Sequence, residues 1–61
     1  MKIYEFELTF LCRGYGEWKE ITKGIVNTIK DFNLEKEIEK GKAELENEGY
    51  SYVKFVECRI H

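Results

Sequence analysis

Few residues in this chain have the type and spacing to do chemistry. The only histidine is His61. A general base must be held within hydrogen-bond reach of the proton it takes, and at this terminal position the side chain reads as a solvated tail residue. Cys12, Cys58 and His61 are the available soft metal donors. They lack the close Cys-x2-Cys pair that preorganises two ligands of a zinc site. Both cysteines fall on the apolar parity of strand-like segments, so they read as small buried hydrophobes. Gly14-Tyr15-Gly16 precedes a helix-like pattern and has the outline of an anion-binding turn, yet no Lys-Ser/Thr follows and a plain turn is the better reading.

Charged groups lead to the same conclusion. Glu35, Glu37, Glu39, Glu44, Glu46 and Glu48 lack the Asp-x-Asp-x-Asp-Gly spacing of a calcium loop and read as a solvated face. A weak cation site or a mimic of nucleic-acid charge is the alternative. Lys19, Lys23 and Lys30 would form a short basic stripe, but Glu20 and Asp31 stand beside them and three lysines are too few to track a phosphate backbone. No catalytic residue, cofactor or metal site is expected, and the chain reads as non-enzymatic. The residues that remain are aromatic and apolar. Tyr50, Tyr52, Val53 and Phe55 lie close together near the end of the chain, and such side chains are enriched at protein interfaces.

The elements that must position these groups show in the hydrophobic pattern. From Lys2 to Arg13 the chain alternates: Tyr4, Phe6, Leu8, Phe10 and Cys12 on one face, Glu5, Glu7 and Thr9 on the other with Ile3 and Leu11. This is a strand with one buried face. From Glu17 to Phe32, Trp18, Ile21, Ile25, Ile29 and Phe32 recur at steps of three and four, which predicts a helix. Gly24 would sit mid-helix, where close packing on a neighbouring backbone would justify it, and Asn33 would end the helix in a left-handed conformation. Tyr50 to Ile60 is rich in β-forming residues. Its alternation switches parity between Phe55 and Val56, as a bulge or burial of both faces would require. Residues 34–48 admit two readings. Leu34, Ile38, Gly41 and Leu45 follow a helical period, whereas Ala43 and Leu45 alternate with glutamates and Asn47-Glu48-Gly49 has the length of a hairpin loop.

Composition bounds the rest. The 61 residues make one domain, and a chain this short buries only about 60% of the surface its unfolded form exposes. Chains of this size often rely on a disulfide, a metal or a partner subunit. A net charge of −2 argues against a general nucleic-acid binder. Glu5 and Glu7 interrupt any signal-peptide core, and no run approaches the length of a membrane span. A cytoplasmic, reducing setting is expected, and two cysteines are too few for a disulfide framework.

The strand KIYEFELTF, the following EWKE, and EKGKAELENEG leading into YSYVKF together resemble the dodecins over nearly the whole chain. The resemblance implies an α+β fold, a β-α-β-β unit in which an antiparallel sheet packs on one helix, and it favours the hairpin reading of residues 34–48; the alternative is β-α-α-β. It also implies a habit of self-assembly. Flavin binding does not carry over, because Glu35, Glu37 and Glu39 stand where the family's ring-stacking Trp would be, and Trp18 is placed at the helix start. Two functions follow as expectations. One is a small protein-interaction module of the inhibitor, antidote or regulator type, of the kind phages and mobile elements encode. The other is a dodecin-like assembly enclosing a small ligand or ions. The expected partner is a second copy, another protein, or both. Self-association is expected through the sheet, by edge pairing or face packing, because one helix cannot cover both faces.

Overall fold

The computed structural model describes residues 2–61. Among them are three strands and one helix, in the order β1 (Tyr4–Gly14), β2 (Glu17–Asn27), α1 (Leu34–Asn47) and β3 (Tyr52–Ile60). The strands form one antiparallel sheet in the order β2-β1-β3. The expected class, an antiparallel sheet packed on one helix, is what the chain forms. The helix comes later than expected, after a hairpin instead of after the first strand.

The segment read as a helix over 17–32 is a strand followed by a loop. Ile21 and Ile25 are four apart, a spacing that suits a helical stripe and a strand face equally well. Two features favour the strand. Ile21, Thr22, Ile25, Val26, Thr28 and Ile29 are β-branched, which lowers helix propensity and raises strand propensity. Gly14-Tyr15-Gly16 also forms a tight reversal, with Tyr15 at φ 56° and Gly16 at φ 80°. Positive φ at both central residues defines the two-residue hairpin turn whose twist matches the strands it joins. β1 and β2 then pair without interruption from Gly14–Glu17 to Tyr4–Asn27. Trp18 is therefore near the start of a strand, and Lys19 and Lys23 lie on β2 while Lys30 falls in the loop after it. Gly24 has no crowded neighbour: a Cβ there would meet only the Glu5 carboxylate, at 3.7 Å.

Residues 34–47 are the helix, and its ends explain why. Asn33, expected to stop a helix, starts one: its side chain accepts a hydrogen bond from the Lys36 N–H at 3.2 Å. Glu35 and Glu37 in the first turn suit the positive end of the dipole. Asn47-Glu48-Gly49, expected as a hairpin loop, is a helix stop. Gly49 at φ 112° donates to Glu46 O at 3.1 Å, and Tyr50 donates to Leu45 O at 3.3 Å. This is a Schellman cap, and Tyr50 packs against the core with Leu45, the hydrophobic contact that accompanies such caps.

The core forms between α1 and the inner face of the sheet. Phe6, Leu8, Phe10 and Cys12 of β1 are buried with Leu45 of α1, each large side chain contributing roughly 1.5–3 kcal/mol by leaving water. Tyr4, Ile21, Ile25, Phe32, Ile38, Val53, Phe55 and Cys58 pack around them. Ile29, expected on the apolar stripe of a helix, is 60% exposed because the strand has already ended. Its place is taken by Phe32, which stacks on Phe6 at 3.8 Å between ring centroids. The helix lies over β1 and β3. Gly41 makes that approach possible, since a Cβ there would fall 2.5 Å from Phe10 Cζ.

The parity switch in the last strand is a bulge. Thr9 pairs with Glu57 and Phe10 with Phe55, which leaves Val56 without a partner. The extra residue returns Cys58 to the inner face opposite Leu8. Cys12 pairs with Val53 and lies four positions along β1 from Leu8, the partner of Cys58, or about 13 Å at strand rise. That separation is far beyond disulfide reach, and both cysteines are free. The helix is neither long nor apolar enough to cross a membrane.

Candidate functional site

Strand register carries the residues of the outer sheet face into rows. At one end, Arg13 stands between Trp18 on β2 and Tyr52 on β3. The two rings meet edge to face at 5.6 Å, and the Arg13 guanidinium lies over the indole at 5.4 Å from its centroid. Trp18 is 53% exposed and Tyr52 48% exposed. The next row is Leu11 between Glu20 and Lys54, and beyond it Thr9 lies between Thr22 and Glu57. Thr9 and Thr22 share a hydrogen bond at 3.2 Å. At the far end Glu7 lies between Gly24 and Arg59, and Arg59 pairs with Glu57 at 3.2 Å. His61 continues the ladder, exchanging backbone hydrogen bonds with Glu5 at 2.8 and 3.1 Å while its imidazole meets the Glu7 carboxylate. The expected solvated tail residue is thus anchored to the open face.

The four residues expected as an interface do not share a surface. Tyr52 is on the outer face. Val53 and Phe55 point the other way, opposite Cys12 and Phe10, with Phe55 edge-on to Phe10 at 5.8 Å. Tyr50 caps the helix and packs on Gly14. The companions of Tyr52 are Trp18 and Arg13, both missed. Reading Gly14-Tyr15-Gly16 as a two-residue loop would have found them, because it pairs Gly14 with Glu17 and therefore Arg13 with Trp18.

On the inner side, α1 leaves a groove of about 190 Å³ beside β2, floored by Leu8 and Phe10 and rimmed by Lys23, Ile25, Glu37, Lys40 and Glu44. Lys23 spans it, with Nζ 2.8 Å from Glu44 and 3.9 Å from Glu48. The hydrogen bond and charge of Lys23 hold the Glu44 carboxyl below its ordinary pKa. Burial raises the pKa of both thiols, and for Cys12 the nearby Glu48 charge adds to the effect. Both cysteines are therefore kept protonated and poorly nucleophilic.

Comparison with protein-family models, curated proteins and solved structures finds no match to this chain.

Proposed function

We propose that this domain is a non-enzymatic protein-interaction module of the inhibitor, antidote or regulator type, and that it docks its partner on the aromatic end of the open sheet face. One observation carries the reading: Trp18 and Tyr52, half exposed, meet edge to face with the Arg13 guanidinium over the indole, on a face that the helix does not cover. Trp, Tyr and Arg are the residues that most often dominate binding energy at interfaces. Beyond Leu11, the pairs Thr9–Thr22, Glu57–Arg59 and Glu7–His61 are polar, which suits a solvated rim. The imidazole of His61, paired with Glu7, is half exposed, and the thiols are protonated. Protonated thiols make poor nucleophiles. The dodecin-like alternative draws on the shared class of fold, and the helix following the hairpin weighs against it.

A photo-crosslinking residue placed at Tyr52, in cells that make the protein, tests the proposal. The expected result is one discrete adduct with another protein, diminished by Trp18→Ala and absent when the crosslinker is at Glu39 on the helix. Equal adducts from both positions, or adducts with the chain itself alone, would overturn it.

A further inference from the structure

The sheet has two edges, and they are protected unequally. Edge strands template pairing with other chains unless a bulge, a proline, a charge or a covering element blunts them. On β3 the bulge at Val56 breaks the edge, and α1 packs over its inner face. β2 is eleven residues long, pairs with β1 without a bulge, and contains no proline. Its inner face carries the half-buried Ile21 and Ile25 on either side of Lys23. An inward-pointing lysine is itself a blunting device. Here its charge is drawn over the sheet to Glu44 and Glu48, away from the edge.

We infer that the occupant of this edge is a second copy of the chain, its β2 paired antiparallel about a two-fold axis at Lys23. In a two-residue hairpin the pair flanking the loop exchanges hydrogen bonds, and bonding then alternates along the ladder. The even residues of β2, Trp18 to Val26, accordingly aim their N–H and C=O groups over the edge. Pairing about Lys23 sets Ile21 against the copy's Ile25 and Ile25 against its Ile21. Lys19 then faces Asn27, Glu20 faces Val26, and Thr22 faces Gly24. The only like charges opposed are the two Lys23 side chains, each already paired with carboxylates on its own helix. Other registers fit worse: an axis at Ile25 shortens the paired stretch to residues 23–27 and sets Ile21 opposite Ile29, beyond the end of β2. An axis at Thr22 sets both isoleucines against lysines, one at Gly24 sets Ile25 against Lys23, and one at Ile21 opposes Lys19 to Lys23. The product is a six-stranded sheet with both helices on one side and one continuous open face on the other. Trp18 falls opposite the copy's Thr28, ten positions from the copy's own Trp18, so the two aromatic ends stand roughly 33 Å apart along the strands.

The pairing stands apart from any partner of the aromatic face, because the purified chain alone reports it. Size exclusion with light scattering on the full chain should give twice the 7.3 kDa of one chain. Lys23→Cys places two thiols directly opposite in a non-hydrogen-bonded pair, within disulfide distance, and should form an intermolecular disulfide on mild oxidation. Lys54→Cys on β3 should not. Thr22→Pro removes an N–H that points over the edge, a site where proline is tolerated, and should give a folded monomer by circular dichroism. A single-chain mass at high micromolar concentration, or crosslinking from Lys54→Cys as fast as from Lys23→Cys, overturns the inference. Should Thr22→Pro unfold, the wild-type mass and the two cysteine variants decide it.

Discussion

Gly41 and Gly24 look alike in the sequence, each a glycine inside a regular element, and their surroundings set opposite expectations. Replacing a mid-helix glycine by alanine ordinarily gains about 1 kcal/mol. At Gly41 the new methyl would stand 2.5 Å from the Phe10 ring, and overpacking a core costs about 1–3 kcal/mol. Gly41→Ala should therefore destabilise the domain by about 1–2 kcal/mol in urea unfolding, and a gain would mean that the helix does not approach Phe10 so closely. At Gly24 a methyl would make only an ordinary contact with the Glu5 carboxylate, and a glycine in a strand costs about 0.5–1 kcal/mol, so Gly24→Ala should raise stability by about half that. The place of Gly41 on a helical stripe was legible in the sequence, but its reason was not, because that reason is an aromatic ring thirty-one positions away. The cysteines were more legible, since strand parity alone placed Cys12 among buried residues. With both thiols raised by burial, the fully buried Cys12 should not react with Ellman's reagent in the folded protein, the half-buried Cys58 should react slowly, and both should react readily once it is unfolded.

Misreading at the level of elements came from signals that serve two structures. A four-residue spacing between isoleucines is helical and is also an even number, so Ile21 and Ile25 satisfied both periods. Asn47-Glu48-Gly49 is short and glycine-containing, which fits a hairpin loop, yet Gly49 ends a helix in the left-handed region. A side chain in that conformation costs roughly 1–2 kcal/mol, and Gly49→Ala should lower stability by about that amount in the same assay. β1 was legible because its alternation runs unbroken with aromatics on one face. β2 was obscured because Lys19 and Lys23 occupy inner positions where apolar residues would have shown the period. Lys23 is accommodated there because Glu44 reaches it from α1. That bond depresses the Glu44 pKa, so its stabilisation is present above the unfolded carboxyl value and is lost as pH falls through the folded one. Stability measured between about pH 5 and pH 3 should decline less steeply in Glu44→Gln than in the wild type. Identical slopes would show that the pair does not tie β2 to the helix.

For the molecule as a whole, size sets the problem and the uncovered edge of β2 offers an answer. A domain of this length buries a modest share of its surface, and the fully buried side chains are confined to β1 and Leu45. Ile21 and Ile25 remain half exposed because the single helix lies over β1 and β3. The sequence made this shortage legible, since apolar side chains on both parities of the chain outnumber what one helix can cover. It did not show which strand would be left open, because that follows from the order of the elements. If a second copy completes the sheet at β2, part of the stability belongs to the association, and anything that binds the folded state alone stabilises it by mass action. The Tm should then rise with protein concentration in the wild type and stay constant in Thr22→Pro, whose edge cannot pair. Scanning calorimetry from low to high micromolar protein reads both. A wild-type Tm that does not move would mean that the folded monomer is stable on β1, α1 and β3 packing alone, and that the half-buried isoleucines of β2 contribute nothing between copies.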